Sequence, residues 1–272
     1  MTNVAAPKKG SIRVGIGGWK FAPWRDTFYP KDLTQTNELR YASERMTAIE
    51  VNSTFYSMQR PATYAKWRSE TPDGFVFSLK APRFITQTRD ATKAKRGIGA
   101  FLFGGLAELG DRLGPISWQF PPNRKFHRDE FAAFLESLPH ELNGYALRHA
   151  LEVRHESFMC TEYVKLAREH RCSTVYTDST EHPSFADITG DFVYARLMRS
   201  KSSLKTGYAP RDLDAWAIRA QEWARGDSPK DLNYVEKKRP SAKSRDVFIY
   251  FIGAAKERNP AAAMRLREKI ES

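Results

Sequence analysis

Eight short stretches rich in apolar residues, at residues 13–16, 48–52, 75–80, 116–119, 150–154, 173–178, 192–197 and 247–251, read as β-strands, and in most of them polar residues recur at every second position. Between most of them the period lengthens to that of a helix, at 39–46, 98–113, 128–138, 161–171, 213–224 and 260–270. Pro61 sits where a first-turn proline belongs and opens a short helix through residue 70. Thr161 is the expected N-cap of its helix, with Glu162 in the first turn. Gly99, Gly104, Gly105 and Gly110 weaken the 98–113 helix, which must rely on packing.

Strands that alternate with helices predict βα units and a parallel sheet. Eight such units predict closure into a single-domain (β/α)8 TIM-type barrel over residues 11–272. A doubly wound sheet would carry a glycine-rich phosphate turn after its first strand. Gly15, Gly17 and Gly18 do not make that fingerprint, so no nucleotide cofactor is expected. Residues 1–10 read as a loose tail. Residues 226–245 have loop composition throughout and read as a mobile basic insertion before the last strand.

A parallel sheet covered on both sides should be apolar on both faces. Here one face turns polar at the C-terminal ends. The paired positions are Glu50 and Asn52, Ser78 and Lys80, Ser117 and Gln119, Glu152 and Arg154, Tyr176 and Asp178, and Tyr194 and Arg196. Residues two apart on a strand share a face. Ile49, Val51, Phe77, Leu79, Leu151 and Val153 should then pack outward under the helices. Gly15 and Gly17 leave space in the first strand. In a TIM barrel this end is the active-site mouth, so the pairs predict a polar ring around it. The ring would hold three acids (Glu50, Glu152, Asp178) and three bases (Lys80, Arg154, Arg196). Equal numbers allow full pairing, which would also suit a purely structural ion-pair lattice.

The chain has 272 residues and a net charge of +12, with a pI near 9.7 and a mean hydropathy of −0.59. No apolar run nears the roughly 18 residues of a spanning helix, and residues 1–11 lack the apolar core expected of a signal peptide. The two cysteines, Cys160 and Cys172, fit no metal or redox spacing, and a cytoplasmic protein with reduced thiols is expected. Basic residues concentrate in two segments on the mouth side. They are 80–96, with Arg83, Arg89, Lys93, Lys95 and Arg96, and 196–205, with Arg199, Lys201 and Lys205. This favours an anionic ligand bearing phosphate or carboxylate, or nucleic acid. Trp19, Trp24, Phe55 and Tyr56 follow the first two strands and could stack on a base or sugar. Glu50, Glu152 and Asp178 could hold Mg2+ or Mn2+ through oxygen ligands. A histidine-rich zinc cluster is not available. His155 alone of the six histidines lies just past a strand end of the ring; His149 reads as structural, and His127, His140, His170 and His182 as surface or loop residues.

Several motifs together resemble the YecE-like family, known as domain of unknown function 72 (DUF72). They are Val14-Gly15 to Trp19, Glu50 to Tyr56, Phe75 to Pro82 with Ile85-Thr86, Gly114 to Pro122, Glu152 to His155 with Ser157-Phe158, and Asp178. The resemblance implies a TIM-type barrel, a fold likened to endonuclease-IV-like and sugar-isomerase-like enzymes. The chain departs from the family pattern at two corners of the mouth. Arg196-Leu197-Met198-Arg199 stands where Arg-Leu-His-Gly is typical, and Ile252-Gly253 where an asparagine pair is typical.

Three functions fit these residues. The first is an enzyme of phosphodiesterase type. Glu50, Glu152 and Asp178 would be its acid/base groups, Lys80, Arg154 and Arg196 its anion binders, and Asn52, Gln119, His155, Trp19 and Tyr56 would line the substrate. The second is a nucleic-acid or polyanion binding module without chemistry. The third is a sugar-processing isomerase or hydrolase that uses the carboxylates and aromatics.

Overall fold

The computed structural model describes residues 10–237 and 242–272. The expected N-terminal tail, except Gly10, and the centre of the 226–245 insertion lie outside them. Eight strands, β1 (Ile12–Gly17), β2 (Ala48–Val51), β3 (Val76–Lys80), β4 (Leu113–Phe120), β5 (His149–Val153), β6 (Ser173–Thr177), β7 (Phe192–Leu197) and β8 (Asp246–Phe251), close into one barrel. They run parallel throughout, with β1 pairing β2 on one side and β8 on the other. The helices are α1 (Glu38–Arg45), α2 (Pro61–Ser69), α3 (Arg83–Gln87), α4 (Ala91–Leu102), α5 (Arg128–Glu136), α6 (Thr161–Glu169), α7 (Pro210–Arg225) and α8 (Asn259–Glu271). The barrel predicted from the alternating periods is the one observed. None of the described helices is long and apolar enough to cross a membrane.

Apolar side chains form two separate clusters. The larger lies between barrel and helices and contains the outward strand residues Ile49, Val51, Phe77, Leu79, Leu151 and Val153, as expected. The smaller fills the lumen with Ala48, Val76, Ala150, Val175, Phe192, Tyr194, Phe248 and Tyr250. The middle of the lumen is therefore packed, and a polar layer lies above it. Gly17 leaves no open space: a Cβ there would meet Asn52 Nδ2 and Ile252 Cδ1, both at 2.9 Å.

Four local readings change. The 98–113 helix is instead α4 followed by a 3-10 segment, Leu106–Arg112. Gly105 (φ 121°) and Gly110 (φ 53°) take conformations that end helices. Asp90 starts α4 earlier than expected, since its carboxylate accepts the Lys93 N–H at 3.0 Å. Lys93, Lys95 and Arg96 therefore lie on a helix and not in a loop. Thr161 is the first residue of α6, and the N-cap is Cys160, with no side-chain cap bond. On β6 the inward residues are Val175 and Thr177, in register with Tyr194 and Arg196. Tyr176 points outward onto Trp216 and Trp223, with ring centroids at 5.7 and 6.0 Å.

A two-stranded hairpin, Glu141–Leu142 with Tyr145–Ala146, was not expected. Asn143 and Gly144 both take positive φ at its turn, the pairing such hairpins favour. The described part of the 226–245 insertion is tied down. Asp187 accepts the N–H groups of Val235 and Glu236 at 2.7 and 2.9 Å, and Ala186 N–H donates to Asn233 O at 2.8 Å.

Candidate active site in the barrel mouth

The C-terminal ends of five barrel strands deliver one continuous hydrogen-bonded network. Glu50, near the end of β2, is fully buried. Its Oε2 accepts Tyr194 OH at 2.7 Å and Arg196 Nε at 3.0 Å, and its Oε1 accepts Arg196 Nη2 at 3.1 Å. Arg196, on β7, turns its remaining Nη1 to Glu152 Oε2 at 2.7 Å. Glu152 Oε1 in turn accepts Arg154 Nε at 2.7 Å. Arg154 Nη2 reaches Gln119 Oε1 at 3.0 Å, and the same oxygen accepts Lys80 Nζ at 2.7 Å. Lys80 Nζ also lies 4.2 Å from the centre of the Phe55 ring. Below this layer, Ser78 Oγ and Tyr250 OH are 2.6 Å apart.

The network brings together Glu50, Glu152, Lys80, Gln119, Arg154 and Arg196, six of the eleven candidate residues. Asp178 is not among them. It lies past the end of β6, where it accepts Met198 N–H at 2.5 Å and Tyr208 OH at 2.9 Å. Burial raises its pKa, and these two donors partly offset the rise. It serves as a brace between the loops after β6 and β7. Asn52 makes only a long contact to Glu50 O, at 3.5 Å. His155 Nδ1 accepts Ser157 N–H at 3.1 Å and so caps a short 3-10 turn. Trp19 is buried on the outer side against Trp67, at 5.2 Å, and Phe77, at 6.2 Å, so it belongs to the core. Trp24 is also buried, with its Nε1–H donated to Lys256 O at 2.9 Å. Tyr56 does reach solvent, 71% exposed, with Arg83 5.5 Å from its ring centre.

Removing Asp178 from the ring changes its charge. Two acids, Glu50 and Glu152, face three bases, Lys80, Arg154 and Arg196. The expected balance of three against three becomes a surplus of one cation. The two arginines each bond a carboxylate within 3.1 Å. Lys80 has no carboxylate within ion-pair distance among the described residues.

The pKa shifts follow from this arrangement. Burial would raise Glu152, but Arg196, then Arg154 and Lys80, outweigh it and bring it down to about 2. It is a fixed anion at neutral pH. Burial lowers Lys80 first, the neighbouring Arg196 lowers it further, and the carboxylates only partly compensate, so it falls to about 8. Arg196 is raised: burial opposes its charge, but Glu152 and Glu50 win.

One residue of this neighbourhood is a histidine whose sequence context suggests only a surface or loop position. His182, on the loop after β6, is lowered by burial and then by the Arg154 charge, with Glu152 acting in the opposite direction. Its Nδ1 is buried and has no hydrogen-bond partner. The signal for it was positional, since loops that follow strands line the mouth. The expected Mg2+ or Mn2+ ligands do not converge. Glu50 and Glu152 have Arg196 between them, Asp178 is held elsewhere, and no group of three or more His, Cys, Asp or Glu fit to hold a metal occurs among the described residues. Ile252, at one of the two departures from the family pattern, packs onto the lumen cluster. At the other, Met198 gives its N–H to Asp178.

The family model described as "Protein of unknown function DUF72" matches residues 13–272. The UPF0759 protein YecE of Escherichia coli K12 is 29% identical over 150 residues, which are 54% of this chain and 50% of that protein. The chain thus spans about half the length of the curated relatives it matches. A crystal structure of a DUF72 family protein from Thermotoga maritima aligns with a TM-score of 0.73 at 20% identity, over 96% of this chain and 100% of that one. The structure of SacUVDE aligns with a TM-score of 0.55 at 6% identity, over 96% of this chain and 98% of that one. At these identities the solved structures speak for the fold.

Proposed function

The chain belongs to the DUF72 family, and from that premise and the geometry of its barrel mouth we propose an enzyme that binds a phosphate-bearing substrate on Lys80 and Arg154. The observation that carries this reading is the unmatched cation. Glu50, Arg196 and Glu152 satisfy one another at the floor of the mouth. Above them, Arg154 keeps Nη1 without a partner among the described residues. Lys80 uses one of its three donors, on Gln119. A planar guanidinium edge beside an ammonium suits a phosphate.

The roles of the acids differ from those expected of the sequence. Glu152 keeps no proton to give near neutral pH, and Glu50 is bound on both oxygens. They orient Arg196 and Arg154. Lys80, at about 8, is the group poised to exchange a proton with a reacting centre. His182, buried in part beside Arg154, is its candidate partner.

Inorganic phosphate and sugar phosphates should raise the thermal midpoint of the protein, and added salt should weaken the effect. Arg154→Ala should lose at least tenfold in phosphate affinity. An unchanged midpoint at millimolar phosphate and low salt contradicts the reading.

A second reading, nucleic-acid binding, rests on a separate patch. Tyr56 and Phe84 are exposed, 71% and 46%, and Arg83 lies over the Tyr56 ring. Exposed rings beside cations stack on bases. Single-stranded oligonucleotide should then bind with steep salt dependence and lose affinity in Tyr56→Ala. Equal affinity in the variant rejects it.

A further inference from the structure

Lys80 stands apart from the other cations of the mouth. Arg154 and Arg196 are each fixed by a carboxylate, whereas Lys80 Nζ donates to a neutral amide oxygen and lies against an aromatic face. The side chain is 6% exposed, so it is held at the end of β3 and does not sweep through solvent. A lysine kept from water and denied a carboxylate partner is equipped to act as a neutral amine. Arg154 shares Gln119 Oε1 with it, which puts an anion-binding edge beside the amine. Ser117, in register with Lys80 on β4, is fully buried, and its Oγ has no partner. His182 Nδ1, near Arg154, is also without one. An amine, an anion clamp and two unpartnered polar atoms occupy one mouth.

We propose that Lys80 is a carbonyl-directed nucleophile that forms a Schiff base with an aldehyde or ketone carrying a phosphate, the phosphate resting on Arg154. The proposal depends on the phosphate reading above and narrows its substrate class to phosphorylated carbonyl compounds. The ammonium first gives up a proton. The Nζ lone pair then adds to the carbonyl carbon, forming C–N, while the carbonyl π pair moves to oxygen and that oxygen takes a proton. Nitrogen then gives up a second proton, the hydroxyl takes up one and leaves as water while the nitrogen lone pair forms the protonated C=N, and release of the last N–H proton gives the neutral imine. Amine and carbonyl become imine and water, with no oxidant or reductant. Four charged groups bear on the amine, namely Arg196, Glu152, Glu50 and Arg154. With its pKa brought to about 8 by burial and by Arg196, a useful fraction of Lys80 is uncharged at mildly alkaline pH.

Trapping tests this directly. The full chain is incubated at pH 8 with glyceraldehyde 3-phosphate, reduced with sodium borohydride, and mapped by peptide mass spectrometry. The expected result is one adduct per chain, on Lys80, formed at least tenfold faster than with unphosphorylated glyceraldehyde. Excess inorganic phosphate and Arg154→Ala should each slow it at least tenfold. Lys80→Arg keeps the charge and should remove the adduct while the variant keeps a cooperative urea unfolding transition, which shows that it folds. Adducts confined to surface lysines, or equal rates with the two aldehydes, overturn the proposal. If phosphate stabilises the protein through Arg154 while Lys80 stays unmodified, the covalent step falls and the phosphate reading stands. If neither phosphate binding nor the adduct is found, both fall.

Discussion

Arg196 and Glu50 meet fork to fork beneath the barrel mouth, with Nε–Oε2 at 3.0 Å and Nη2–Oε1 at 3.1 Å, and neither side chain reaches solvent. A carboxylate held this way, with Tyr194 OH as its third donor, is part of the scaffold. Breaking a buried pair by removing one charge costs about 3–5 kcal/mol, because the other is left uncompensated. Glu50→Gln and Arg196→Met should each lose stability of that order in urea unfolding. The double variant should lose less than the sum, since the stranded charge is gone.

Glu152 makes stability depend on acid. Its folded value, about 2, lies below the ordinary 4.5. The unfolded chain therefore binds its proton first, and the stabilisation is complete above pH 4.5 and lost as pH falls toward 2. Between those limits Glu152→Gln should flatten the stability profile by the slope of about one proton.

Lys80 acts with the opposite charge at alkaline pH. Its folded value, about 8, lies below 10.5, so the unfolded chain holds a proton there that the folded chain has released. Its contribution rises with pH from about 8 toward 10.5. Lys80→Met should remove this rise, read by denaturant titration between pH 8 and 9.5. Above pH 10 the trend turns, because burial keeps Tyr194 and Tyr250 protonated in the folded state alone.

Divalent metal should not govern the phosphate site. Both oxygens of Glu50 and of Glu152 already accept arginine donors. EDTA is expected to leave phosphate-induced stabilisation unchanged. A metal requirement for that stabilisation, abolished by Glu152→Gln, would restore the carboxylates as ligands.

The barrel was legible because eight short strand-length stretches are mostly separated by segments with a period of 3.6. The polar network at the C-terminal strand ends was legible in place and in six of its residues. Glu50, Glu152, Lys80 and their partners stand out as polar residues on a face that should be apolar. Asp178 and Tyr176 were misplaced because Val175, Tyr176 and the threonines of β6 leave the parity of that strand open to either reading. Trp19 and Trp24 were unreadable from sequence, since an aromatic after a strand can stack on a ligand or seal the core, and the packing partners decide. His182 carries no motif, and only the fold of the 178–191 loop puts it near Arg154. The balance of charge failed with Asp178: one carboxylate turned away converts a neutral lattice into a cationic mouth.

Calorimetric titration of inorganic phosphate into wild type, Arg154→Ala and Lys80→Met tests that surplus cation most directly. Wild type should bind one phosphate per chain, and each variant should lose at least tenfold in affinity. Equal affinity in all three, or no binding to wild type at low salt, would contradict it.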